Sequence, residues 1–226
     1  LTVPIVANIN GSTVEQYVNL TKRLDKMEEI KILELNISCP NVKDGGMAFG
    51  ANPDMARFVT REVRKVANKP LMVKLSPNVT NIVEIAKIVE NEGADAISMI
   101  NTLLGMAIDT NTGKAILGNT YGGMSGPAVK PIALRMIHQV SQEVSIPILG
   151  MGGISCAKDA IEFFLAGASA ISVGTAFFGN PLVAMEIKKG LLEYCKKKNL
   201  SNISEIIGYS HSDDGISYRK RLKIIE

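Results

Sequence analysis

PILGMGGISCAKDAIEFFLAGASAISVGTA (147–176) decides the fold. Two short apolar runs, PILGMGG (147–153) and AISVGTA (170–176), flank an amphipathic stretch over 156–166 that ends in the breaker AGAS. An apolar strand buried on both faces, a helix, and a second such strand make a βα unit of a parallel sheet. Each run closes on small residues, Gly152-Gly153 and Gly174-Thr175. Glycines there leave backbone N–H groups open at the starts of helices, a ready cradle for phosphate. Either pair alone also reads as a tight βα turn with no ligand.

Outward from this stretch the same pattern repeats. Strands are expected at VPIVANI (3–9), KILELNIS (31–38), LMVKLS (71–76) and AISMIN (96–101). Helical periodicity covers 13–27, 53–67, 81–92, 130–143, 156–166 and 181–198. That is six βα units. A doubly wound sheet needs no more than six strands, whereas a barrel needs eight and about 250 residues. The strand ends decide between them. Asn8, Asn36, Lys74, Asn101, Gly152-Gly153 and Gly174-Thr175 are all small or polar, and only a barrel converges every strand end on one site. Barrels place phosphate on the loops after strands 7 and 8; with 147–153 and 170–176 in those places, 3–9 becomes strand 3. The expectation is an α/β fold of the (β/α)8 TIM-barrel type lacking its first two βα units, roughly 70–100 residues. Residues 1–208 form one domain in this reading. Residues 209–226 form a polar, then basic, tail of uncertain order. Loops 40–52 and 103–126 are the two long connections, as binding loops and lids often are.

Composition narrows the class. The chain has 226 residues, 46% hydrophobic and 21% charged, with formal charge +3. That balance argues against nucleic acid or an anionic membrane as partner. With no Trp and 5% aromatics, base-stacking platforms are not expected. No apolar run approaches the roughly 20 residues of a membrane span. Three scattered cysteines, Cys39, Cys156 and Cys195, fit a reducing cytoplasm better than a disulfide framework, and are too few for a four-Cys iron–sulfur site. His138 and His211 lack metal-ligand spacing, so no metal is expected.

Several residues invite chemistry. Lys74 lies inside an apolar strand, where it is costly unless an anion or polar network meets it, or unless it snorkels from an edge. Asn8, Asn36 and Asn101 end three different strands. One such Asn is an ordinary turn former; three suggest amides aimed at one planar polar ligand. Cys39, in SCPN at the mouth of loop 40–52, is either a buried small hydrophobe or a nucleophile or proton-transfer group.

Those residues sit in motifs. ELNISCPNVKDGGMAFG (34–50), KLSPNVTNI (74–82), MINTLLGMAID (99–109), GGMSGPAVKPIAL (122–134), GMGGI (150–154) and VGTAFF (173–178) resemble, in order and spacing, the class 1 dihydroorotate dehydrogenases. The resemblance covers residues 1 to about 208. NVKDGG and INTLLG look most like the class 1B, NAD-linked catalytic subunit.

The resemblance implies FMN-dependent oxidation of dihydroorotate to orotate in pyrimidine biosynthesis. Cys39 matches the base that takes the C5 proton while hydride leaves C6 for the flavin. Asn36 matches a residue touching both flavin and substrate. Asn41, Asn101 and Thr102 match substrate contacts. Asn8, Lys74, Ile100 and Gly126 match FMN contacts, and Gly152, Gly153, Gly174 and Thr175 match the phosphate cradle. The loop after Cys39 would be the lid. Electrons would pass to NAD through a partner carrying FAD and a [2Fe-2S] cluster, in a heterotetramer built on a homodimer core. The family's first two βα units, with a further lysine and a substrate loop, have no counterpart here. The rivals are a fumarate-linked class 1A enzyme, a dihydropyrimidine dehydrogenase-like domain, and a non-catalytic truncated subunit.

Overall fold

Leu33, Leu35 and Ile37 alternate with Glu34, Asn36 and Ser38 along one strand, and both sets are buried. A strand meets that double burial between a helix layer and an enclosed interior. The computed structural model describes residues 3–38 and 46–226. In chain order these form β1 (Ile5–Ile9), α1 (Val14–Leu24), β2 (Ile30–Asn36), α2 (Gly46–Ala51), α3 (Pro53–Arg64), β3 (Leu71–Lys74), α4 (Ile82–Asn91) and β4 (Ala96–Met99). Four short strands follow, β5 (Leu103–Gly105), β6 (Ile108–Asp109), β7 (Lys114–Ala115) and β8 (Gly122–Met124). Then come α5 (Lys130–Ser141), β9 (Ile148–Met151), α6 (Ala157–Ala166), β10 (Ala170–Ser172), α7 (Ala176–Gly179), α8 (Val183–Lys198) and α9 (Ile216–Arg221).

All six expected strands are present, in one parallel sheet of order β1-β2-β3-β4-β9-β10. One face is apolar. Leu33, Leu35, Leu71, Val73, Ile97, Met99 and Ile148 pack against Val59, Val63, Ile85, Val89, Ile137 and Val140 of the helices. Gly150 lets a helix approach closely, since a Cβ there would lie 2.7 Å from Phe163 and 2.9 Å from Ala168. The other face is polar toward the strand ends. Register sets Asn8 beside Glu34, Asn36 beside Lys74, and Lys74 beside Ser98. The helices begin where capping chemistry dictates. Thr13 caps α1, Asn52 caps α3 ahead of Pro53, and Asn81 caps α4, each accepting from an N–H of the first turn.

Three expectations need correction. The segment 103–126 is not an irregular loop. β5 pairs antiparallel with β8, and β6 with β7. Asp109 accepts from the Asn111 N–H and the Thr112 hydroxyl, and Gly113 at φ +67° turns the chain back. The last long helix starts at Val183 and follows the separate short α7; Asn180 is extended and Pro181 follows it. The tail 209–226 is ordered. Tyr218 joins Phe164, Ile206 and Ile207 in a second apolar cluster, and Arg221 donates to the carbonyls of Ser141, Gln142 and Val144 at the end of α5. Among the described residues, no helix is long and apolar enough to cross a membrane.

Candidate active site

The carboxyl ends of β3, β4, β9 and β10 open on one cleft. Lys74 enters from β3, Ile100, Asn101 and Thr102 from the end of β4, Gly152 and Gly153 from β9, and Ser172, Gly174 and Thr175 from β10. Met124, Ser125 and Gly126 arrive from the ribbon. A second hollow lined by Gly126, Pro127, Gly153, Ser155 and Thr175 adjoins it and reaches Ala176 of α7.

The glycines are there for geometry. Gly126, Gly152 and Gly153 have φ of +91°, +124° and +77°, which a side chain rarely tolerates. A Cβ on Gly174, which lines the cleft, would meet nothing within 4 Å. The backbone N–H groups of Gly152, Gly153, Gly174 and Thr175 donate to no backbone carbonyl among the described residues. Four uncommitted donors around open space suit a phosphate.

The turn after β9 is held from behind. Lys130 Nζ lies 2.6 Å from Asp159 Oδ1 and 2.7 Å from Glu162 Oε2. Asp159 Oδ2 accepts from the Ser155 N–H at 2.9 Å, the Ser155 hydroxyl at 2.8 Å and the Cys156 N–H at 3.2 Å. Burial alone would push the Asp159 carboxyl up; the Lys130 ammonium and the Ser155 donors overcome it and hold the group well below the usual carboxylate range. Lys130 is therefore occupied by carboxylates. Lys74 is not: half-buried in the cleft, it has no hydrogen bond or ion pair among the described residues. An uncompensated cation in such a place fits a ligand that carries or gains negative charge.

The asparagines form a second group beside the cleft. Asn101 lines it; Asn36 and Asn8 do not, but are joined to Asn101 by hydrogen bonds through Ser38. Asn36 is buried, and Tyr17 donates to its carbonyl oxygen at 2.8 Å. Asn8 stands exposed on edge strand β1. Cys39 and Asn41 lie outside the described residues. The structure thus brings Lys74, Ile100, Asn101, Thr102, Gly126, Gly152, Gly153, Gly174 and Thr175 together in one lining. Sequence reasoning missed Glu34, Ser38 and Ser98. The signal was there: Glu34, Asn36 and Ser38 recur with period two, on the face of β2 opposite the leucines. Among the described residues, no group of three His, Cys, Asp or Glu could hold a metal ion. Cys156 is an exposed residue at the start of α6.

The family model for dihydroorotate dehydrogenase matches residues 1–195. A relative from Bacillus cytotoxicus, described as dihydroorotate dehydrogenase B (NAD(+)), catalytic subunit, is 57% identical over 208 residues, 92% of this chain and 67% of the relative. Proteins of the same description from Brachyspira hyodysenteriae and Anoxybacillus flavithermus are 53% and 56% identical, over 92% and 96% of this chain and 69% of each relative. A solved structure of DHODH from Eimeria tenella, in complex with ferulenol, superposes with a TM-score of 0.75 at 22% identity, over 91% of this chain. This chain spans 61% of that one, and the shared fold is the TIM barrel. On the match across most of its length and on the identity to its relatives, the chain belongs to the dihydroorotate dehydrogenase family.

Proposed function

We propose that this chain carries the catalytic barrel of an NAD-linked dihydroorotate dehydrogenase, which oxidises dihydroorotate to orotate for pyrimidine synthesis with FMN as bound cofactor. One observation carries the reading. Residues as far apart in sequence as Lys74, Asn101, Gly126, Gly153 and Thr175 open on a single cleft that holds N–H donors and a lysine without partners among the described residues. FMN supplies the two-electron acceptor for the hydride of dihydroorotate. The glycine N–H groups hold its phosphate. Lys74 places positive charge where negative charge accumulates on reduction. Asn101 and Thr102 hold the substrate by donor–acceptor pairing at the head of β4. Cys39 removes the C5 proton as a general base.

The relatives' description as a catalytic subunit using NAD(+) supports an electron-transfer partner. We place FAD and a [2Fe-2S] cluster on that partner, in a heterotetramer around a homodimer of barrels, in the cytoplasm. The chain spans about two thirds of its relatives' length, so turnover belongs to the whole protein. The test uses that protein with Cys39→Ser. FMN should stay bound while dihydroorotate oxidation falls by about 10²–10⁴-fold, the scale of a general base. Full activity in the variant overturns the role of Cys39. Partner-independent turnover with fumarate overturns the NAD-linked assignment.

A further inference from the structure

Glu34 lies in the middle of β2, buried, and nothing in the reaction above uses it. Both its oxygens are occupied. One accepts from Asn8 Nδ2, the other from Ser98 Oγ at 2.6 Å. From Asn8 the bonds run toward the cleft. Asn8 Oδ1 accepts from Asn36 Nδ2 at 3.3 Å and from Asn10 Nδ2 at 2.6 Å. Asn36 Oδ1 accepts from the Ser38 N–H at 3.1 Å and the Ser38 hydroxyl at 2.7 Å. Ser38 Oγ accepts from Asn101 Nδ2 at 2.7 Å, and Asn101 Oδ1 accepts from the Thr102 N–H at 2.8 Å. Every side-chain donor linking Asn101 to Asn8 therefore points toward Glu34.

A carboxamide turned by 180° keeps its shape but exchanges donor for acceptor. Something with only one role must fix each end. For Asn101 it is the Thr102 N–H, and for Asn36 the Ser38 N–H. For Asn8 it is Glu34, whose two carboxyl oxygens both act as acceptors here. With that orientation, the oxygens of Asn8 and Asn36 each carry two hydrogen bonds and have no lone pair left over. Among the described residues, each Nδ2 has spent one proton and keeps one. The two amides therefore offer ligands N–H groups and no acceptor.

We propose that Glu34 is the positioning residue that sets this polarity, so that Asn8 and Asn36 present donors to the carbonyl-type acceptors of a planar pyrimidine-dione, on the cofactor or the substrate. The inference rests on the FMN-dependent reaction proposed above. It names Glu34 as a residue that touches neither ligand and acts through Asn8. Glu34→Leu keeps a similar size and leaves Asn8 no acceptor, whereas Gln could accept from Asn8 and donate to the Ser98 hydroxyl without disturbing the amides. With Leu nothing holds the Asn8 amide, and Asn36 loses its fixed acceptor.

The experiment uses the whole protein with its partner. FMN affinity is read by titrating apoprotein, and orotate affinity from its perturbation of the bound flavin spectrum. Glu34→Leu should weaken FMN or orotate binding by about tenfold or more, as a lost buried hydrogen bond does. Glu34→Asp, again acceptor-only, should recover most of the loss. Wild-type affinities in a folded Glu34→Leu, or a Glu34→Asp as weak as Glu34→Leu, overturn the proposal. Where neither variant folds, Asn8→Ala decides: unchanged affinities there also overturn it. Failure of the underlying reaction looks different, as a wild-type flavin that dihydroorotate does not bleach.

Discussion

A Cβ on Gly153 would lie 2.7 Å from the carbonyl oxygen of Gly126. The turn after β9 and the end of the ribbon thus touch backbone to backbone, and their contact forms one wall of the cleft. Gly153 also sits at φ +77°, so Gly153→Ala meets both a clash and a strained backbone. It should cost about 1–3 kcal/mol of stability and weaken FMN binding by at least about tenfold. Denaturant unfolding and FMN titration read the two effects separately. Gly174→Ala is the contrasting case. Its methyl group meets no protein atom, so stability should hold while FMN affinity falls.

Lys74 separates function from stability in another way. Because no carboxylate among the described residues pairs with it, Lys74→Met removes a half-buried charge without stranding a partner. The apoprotein should be as stable as wild type or more so. The holoprotein should bind FMN less tightly and show a lower flavin reduction potential, since a cation that favours the negatively charged reduced form is gone. Spectroelectrochemistry measures the potential; an unchanged value contradicts the role given to Lys74.

Asp159→Asn tests the support behind the glycine turn. Lys130 keeps Glu162 but loses its shorter contact, and the Ser155 donors face a weaker acceptor. About 2 kcal/mol of stability should be lost at neutral pH. The sign of the pH effect follows from the lowered carboxyl. Its contribution is complete above the ordinary carboxylate pKa of about 4 and disappears as pH falls toward the folded-state value. Wild type should therefore approach the variant in stability on acidification, measured by denaturant unfolding between pH 7 and about 3.

His211 gives the tail a pH response. Burial pushes its imidazole pKa down; the Ala166 carbonyl works against this, His138 and Arg221 add to it, and Asp213 opposes it. His211 Nε2 lies 3.0 Å from the Ser141 hydroxyl, so the neutral ring is the form that the packed tail accepts. A lowered folded-state pKa means full stability above about 6.5 and a loss as pH falls below it. The melting temperature of wild type should drop more between pH 7.5 and 5.5 than that of His211→Gln. Equal drops contradict this account of the tail.

The barrel units were legible because parallel strands buried on both faces give continuous apolar runs, and the six expected strands are the six found. The cleft was legible for a related reason: its lining comes from strand ends, where a lysine, an asparagine or paired glycines stand out against valine and isoleucine. Glu34 was harder to see because it sits inside a strand whose neighbours are leucines; only its two-residue spacing from Asn36 and Ser38 marks the inward face. The ribbon at 103–124 has strands only two or three residues long, below what alternation reveals, so its sequence carries no strand signal. The tail was illegible for a physical reason too. Its polar residues are used internally, Arg219 donating to the carbonyls of Ile207 and Asp214, while Tyr218 is the one buried large apolar side chain among 209–221.

The central claim is that this barrel holds FMN and reduces it with dihydroorotate. The most direct measurement is the visible absorption spectrum of the whole protein, before and after anaerobic addition of dihydroorotate. The account predicts a flavin band that bleaches at once and returns on addition of the electron-transfer partner with NAD. A bound flavin that dihydroorotate leaves oxidised, or a folded protein that binds no flavin, would contradict it.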